Sequence, residues 1–225
     1  MPVYRLTKEI LFPNPERAEP DGLLAIGGDL SIERLLLAYR WGIFPWYEEE
    51  TPILWWSPPR RCVMDPDGFH ISRSLQRVLR QHRFSVTFDR AFPAVIRGCA
   101  ETRLARGKGT WITEEMIDAY CALHDAGFAH SAEAWHEEQL AGGIYGVSLG
   151  SAFFGESMFA RVTNASKVAF ATLAHRLAEW EFTLIDCQIT NPHLQRLGSY
   201  EISQHEFLQR LAHALQSPTR RGKWE

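Results

Sequence analysis

Three polar residues stand where strands should be apolar. Glu156 lies in GGIYGVSLGSAFFGESMF, residues 142–159, a run of strand formers broken by a turn signal at 148–150. The pattern predicts two antiparallel strands joined by a short connection. Strict alternation along the second puts Ala152, Phe154, Glu156 and Met158 on one face, and Phe153, Gly155, Ser157 and Phe159 on the other. A carboxylate between a phenyl ring and a thioether must find a partner, shift its pKa or meet a ligand. Arg161 is the structural partner to expect if there is no ligand. The other two residues, Asp186 and Gln188, close the strand FTLIDCQ, on a face shared with Phe182 and Leu184. A solvated strand end looks the same. Taken with Glu156, the pair makes a cluster of two acids and an amide. Such a cluster can bind a cation or orient a polar substrate. It offers no obvious nucleophile, because none of its three residues is a Ser or a Cys.

A second constellation is basic. Arg73, Arg77, Arg80 and Arg83 are spaced by four, three and three, with no acid between Ser72 and Arg83. They form a stripe on one helix. It is either a solvated face or a surface for a phosphate backbone. The net charge of −3 means that any nucleic-acid binding must come from such a local patch. His124, His130 and His136 recur every six residues, which suits no usual ligand spacing. They are expected at surfaces or turns, and no metal is expected. GKGT at 107–110 lacks the full phosphate-loop pattern. Cys62, Cys99, Cys121 and Cys187 are scattered without a CxxC, which fits a reducing cytoplasm. MPVYRLTKEI has no signal core, and no run approaches membrane-spanning length.

The elements that must position these groups divide into two regions. Residues 1–61 are rich in proline and hold Trp41, Trp46, Trp55 and Trp56. One helix is expected there, opened by Ser31 and closed by Gly42. The rest should be irregular chain packed on a larger neighbour. From Cys62 the pattern is regular. RCVMD and FSVTFD read as strands, and Ser72 opens a helix to about His82. Asp89 should cap a helix through about Ala100, followed by a polar loop, ETRLARGKG. Thr113 should cap a helix ending at Gly127, with Met116, Ile117, Tyr120 and Leu123 inward. A three-strand meander follows, then a helix opened by Asn164 or Ser166, the strand FTLIDCQ, and a last helix behind the Ser203–Glu206 box. The fold class is therefore α+β: residues 1–61 as a small domain, and residues 62–225 as a domain with a mainly antiparallel sheet. The order of meander, helix and strand is acetyltransferase-like.

GLLAIGGDLS, YRWGIFPWY, ILWWSPPRR, HISRSL, GTWIT, GGIYGVSLGSAFFGESMF, NASK and LIDCQ follow one another across most of the chain. This succession resembles the leucyl/phenylalanyl-tRNA–protein transferases. The resemblance implies a bacterial cytoplasmic enzyme without a cofactor. It would move Leu or Phe, less often Met, from aminoacyl-tRNA onto proteins beginning with Arg or Lys, creating an N-degron. It also implies a reaction centre of Asp186 and Gln188, with Glu156 facing the cationic acceptor. Ile144, Phe153, Met158, Phe170, Leu173 and Ile185 would line the aminoacyl pocket, and Trp46 and Trp111 would wall the terminal adenosine. The arginine stripe would then hold tRNA. The competing readings are an acyl-coenzyme A N-acyltransferase and a non-catalytic RNA-binding module. The first needs a glycine-bearing pyrophosphate turn after the meander, where this chain has ARVTNAS.

Overall fold

The computed structural model describes residues 3–104 and 111–225, so GKGT lies outside the described residues. The chain opens with β1 (Tyr4–Leu6) and β2 (Leu23–Gly27), then α1 (Ile32–Arg40), β3 (Phe44–Pro45) and β4 (Leu54–Trp56). These four strands form one sheet in the order β1-β2-β4-β3. The sequence reading expected irregular chain here. Strands of two, three and five residues give little period to detect. The expected helix is present. Gly42 closes it at φ 68°, and Ser31 stands at its start without a side-chain cap.

The larger sheet contains β5 (Arg60–Met64), β6 (Ser85–Phe88), β7 (Ala129–His136), β8 (Gln139–Leu149), β9 (Ala152–Ala160), β10 (Leu184–Gln188) and β11 (Tyr200–Ser203). Its order is β11-β5-β10-β9-β8-β7-β6. All its pairs are antiparallel except β9 with β10, which run parallel across the helix α5 (Ala165–Glu179). This is the meander, crossover helix and returning strand that the sequence predicts, in an α+β frame. Before it come α2 (Arg73–Arg80), α3 (Phe92–Leu104) and α4 (Glu114–Asp125); after it come α6 (Pro192–Gln195) and α7 (Gln204–Ala214). Thr113 and Ser203 cap as expected, through Met116 N and Glu206 N.

The sheet separates two cores. On one face α3, α4, α1 and α7 bury Phe92, Tyr120, Tyr39 and Phe207 against Tyr145, Phe154 and Phe159, and this core continues into Leu24 and Trp55 of the small sheet. On the other face α5 buries Phe170, Leu173 and Leu177 against Phe153, Ile144 and Ile185. Each such side chain withdrawn from water contributes about 1.5–3 kcal/mol.

Two local expectations give way. Asp89 does not cap α3, which runs on to Leu104. Its buried carboxylate instead accepts from His130 Nδ1 at 2.7 Å, Ser131 N at 2.8 Å and Trp224 N at 2.8 Å. His130 is accordingly no surface residue. It is 1% exposed and stacked on the Trp224 indole at 3.8 Å, and burial holds its pKa below the ordinary value. A polar pair of this kind forms across 41 residues of sequence, so local pattern cannot show it.

Candidate active site

The parallel register aligns Phe154 with Asp186, and both strands become irregular just beyond that point. On β9, Gly146 faces Gly155 and Tyr145 faces Ser157, so Glu156 is an extra residue with no partner on β8. On β10, Asp186 faces Val63 and Gln188 faces Cys62, leaving Cys187 as the extra residue. These are β-bulges, which commonly re-aim side chains beside functional sites. Opposite the first, Gly146 has no room for a side chain: a Cβ would lie 2.2 Å from Phe154 O. The bulge corrects the expected alternation. Phe154 and Glu156 face the Tyr39–Tyr120 side, whereas Met158 joins Phe153 on the opposite face and Phe159 joins Phe154. Gly155, a glycine inside a strand, was the available signal. Phe182 also leaves its expected face, because β10 begins only at Leu184.

Glu156 is not paired with Arg161, which instead reaches Glu101 at 2.8 Å. The Glu156 carboxyl lies at the meeting of three hydrogen-bonding side chains. Tyr39 donates to Oε1 at 2.7 Å, Gln188 Nε2 donates to the same oxygen at 2.9 Å, and the Tyr120 hydroxyl lies 3.2 Å from Oε2. Burial pushes the Glu156 pKa up to about 7, and the Asp186 charge adds to the rise against the opposing hydrogen bonds and Arg61. Tyr39 and Tyr120 are pushed well up by the same burial.

Asp186 is not at a solvated strand end. It is fully buried and grips Arg61, with Nε at 2.8 Å and Nη2 at 2.6 Å. The guanidinium sits between the rings of Phe44 at 4.7 Å and Phe207 at 4.4 Å. Asp186 Oδ1 also accepts from Gln188 N at 2.8 Å, which holds Gln188 in a left-handed conformation at φ 61°. A non-glycine residue in that region is held there by its surroundings. Gln188 is thus tied through its main chain to Asp186 and through its side chain to Glu156. The sequence reading missed Arg61 as a site residue. It also placed Tyr120 inward without asking what its hydroxyl would meet, although a buried phenol needs a partner.

Ile144, Phe153, Met158, Phe170, Leu173 and Ile185 all belong to the second core, directly behind the bulged strands. Trp46 is 40% exposed, with its carbonyl accepting from Trp56 Nε1 at 2.7 Å. Trp111 is half-buried. The next residue after Trp46, Tyr47, donates its hydroxyl to Glu115 at the start of α4 at 3.4 Å. Arg73, Arg77 and Arg80 are exposed on α2, while Arg83 lies beyond its end, also exposed. None of the four makes an ion pair among the described residues. The ARVTNAS turn commits the amides of Arg161 and Val162 to Ala141 O, which leaves neither free to cradle a pyrophosphate. No group of His, Cys, Asp and Glu suited to a metal occurs among the described residues.

Comparison with known proteins gives the family. The model of the leucyl/phenylalanyl-tRNA protein transferase matches residues 63–212, and that of its N-terminal domain matches residues 28–59. The chain belongs to this family. The leucyl/phenylalanyl-tRNA–protein transferase of Anaeromyxobacter sp. (strain Fw109-5) is 60% identical over all of this chain and 96% of its own length. That of Syntrophobacter fumaroxidans is 59% identical, again over all of this chain and 96% of its own length. Among solved structures, L-PGS from Bacillus licheniformis is similar at a TM-score of 0.42 and 15% identity, over 75% of this chain and 53% of its own. The family consists of aminoacyltransferases that act with aminoacyl-tRNA and a protein acceptor. No helix among the described residues is long and apolar enough to cross a membrane.

Proposed function

We propose that this chain transfers Leu or Phe, less often Met, from aminoacyl-tRNA to the N-terminal Arg or Lys of acceptor proteins in the cytoplasm, marking them for proteolysis. The observation that carries the assignment to this site is the double tether of Gln188, through Asp186 and Glu156. Aminolysis of an activated ester needs no covalent intermediate, so its rate can come from holding the amine beside the carbonyl. Gln188 Nε2 is engaged with Glu156, which leaves the amide oxygen to accept from the acceptor's α-amine. An amide is a poor base and serves to orient the nucleophile.

In this reading Asp186 and Glu156 complete the reaction centre by fixing Gln188. Direct contact between Glu156 and the acceptor's cation gives way to contact through Gln188, because donors already occupy the carboxyl. Ile144, Phe153, Met158, Phe170, Leu173 and Ile185 receive the aminoacyl side chain. Trp46 and Trp111 stack on the terminal adenosine. Arg73, Arg77, Arg80 and Arg83 neutralise tRNA phosphates. The deciding experiment supplies radiolabelled leucyl-tRNA with peptides beginning with Arg, Lys or Ala. Label is expected on the first two. Absence of label on every peptide would refute the assignment.

A further inference from the structure

Glu156, Tyr39 and Tyr120 make three oxygen–oxygen contacts that close a ring. Tyr39 Oη lies 2.7 Å from Glu156 Oε1, Tyr120 Oη lies 3.2 Å from Oε2, and the two hydroxyls contact each other. Three hydrogen bonds need three protons. Each phenol supplies one, and burial raises both phenol pKa values so far that neither ionises in the neutral range. An ionised Glu156 brings none, and would leave one of the three contacts as two facing lone pairs. Oε1 already accepts from Tyr39 and from Gln188 Nε2. Oε2 meets Tyr120 alone, so it is the oxygen that can carry the missing proton.

We propose that Glu156 is a neutral carboxylic acid in the free enzyme, closed into a ring of hydrogen bonds with Tyr39 and Tyr120, and that this ring is the positioning device for the Gln188 amide. The ring runs from Oε2–H to Tyr120, from Tyr120 to Tyr39 and from Tyr39 to Oε1. The second half of the proposal rests on the assignment of Gln188 to the acceptor amine. The charges around the ring are Asp186 on β10 and Arg61 on β5, which pair with each other, and Glu115 on α4, reached through Tyr47. The nearest cation is therefore already neutralised, and burial favours the uncharged acid.

Isotope-edited infrared spectroscopy of the substrate-free protein tests the protonation directly. A protonated-carboxyl band is expected at pH 6, absent from Glu156→Gln and lost with a midpoint near pH 7. Absence of that protonated-carboxyl band from the parent at pH 6 would overturn the proposal whatever the activity. Kinetics test the positioning. Glu156→Gln keeps one donor and one acceptor in the ring, so kcat/KM at pH 6 should stay within about threefold of the parent. Glu156→Ala should lose about ten- to a hundredfold, because Tyr39 and Gln188 lose their acceptor and Tyr120 loses its donor. The ratio of Glu156→Gln to parent kcat/KM should rise as pH passes through about 7. A flat ratio, or equal losses in both variants, would overturn the positioning role. Gln188→Ala provides the separate check: full activity there would sink the assignment of Gln188 and leave the infrared result untouched.

Discussion

Replacing Asp186 by Ala should cost the protein its stability as well as its activity. The carboxylate is fully buried and holds an Arg61 guanidinium that is 1% exposed, through two bonds of 2.8 and 2.6 Å. Phe44 and Phe207 enclose that guanidinium and offer no counter-charge. Breaking a buried ion pair from one side strands a charge at a cost of about 3–5 kcal/mol. In a chain of this size each kcal/mol lowers the melting temperature by about 2–4 °C, so a drop of about 6–20 °C is expected. Thermal unfolding followed by circular dichroism measures it. The control is the double variant Arg61→Met with Asp186→Leu, which removes both charges and fills the space. It should recover most of the lost stability, since apolar replacement of a buried pair is often neutral or better. It should remain impaired in transfer, because Gln188 N has lost its acceptor. An Asp186→Ala protein melting within about 2 °C of the parent would refute the reasoning, because a stranded charge must cost more than that.

Arg77→Glu with Arg80→Glu should weaken tRNA binding and lower the slope of log affinity against log salt by about 1.4–1.8, while a minimal aminoacyl-adenosine donor is used as before; fluorescence anisotropy at several salt concentrations reads both. Glu156 has a folded pKa of about 7 against an ordinary 4.5, so the unfolded chain ionises first and stability is lost as pH rises between those values. The melting temperature of Glu156→Gln should therefore gain on the parent from pH 4.5 to about pH 7 and run parallel above it, and parallel curves throughout would contradict the raised pKa. Trp224→Ala removes an indole that is 2% exposed and packed against His130, Phe153 and Trp180, at a cost of about 3–5 kcal/mol, read as a lower unfolding midpoint in urea.

Much of this was legible in the sequence because it is local. Thr113 and Ser203 cap helices three residues ahead of their partners, and the meander announces itself by composition and a turn. Ile144, Phe153, Phe170, Leu173 and Ile185 are buried in one cluster, with Met158 packed against it. What escaped is long-range and polar. Arg61 and Asp186 are 125 residues apart, and Tyr39 and Glu156 are 117 apart. Burial of such groups is favourable only as a matched set, and no window of sequence contains the set. The strand faces failed for a different reason. Period-two alternation holds until one extra residue enters, and then every later side chain changes sides.

That extra residue separates the acid from the packing of its strand. With Glu156 skipped, Phe153, Phe154, Gly155, Ser157, Met158 and Phe159 pair continuously with β8 and alternate between the two cores without a fault. The strand is a complete structural element carrying one residue more than its ladder needs, and that residue is the acid. An acid at a regular position would displace a packed side chain. Loss of that residue would restore an unbroken hydrogen-bonded ladder and remove the acid in one event. Such a variant would be silenced by becoming a more regular protein.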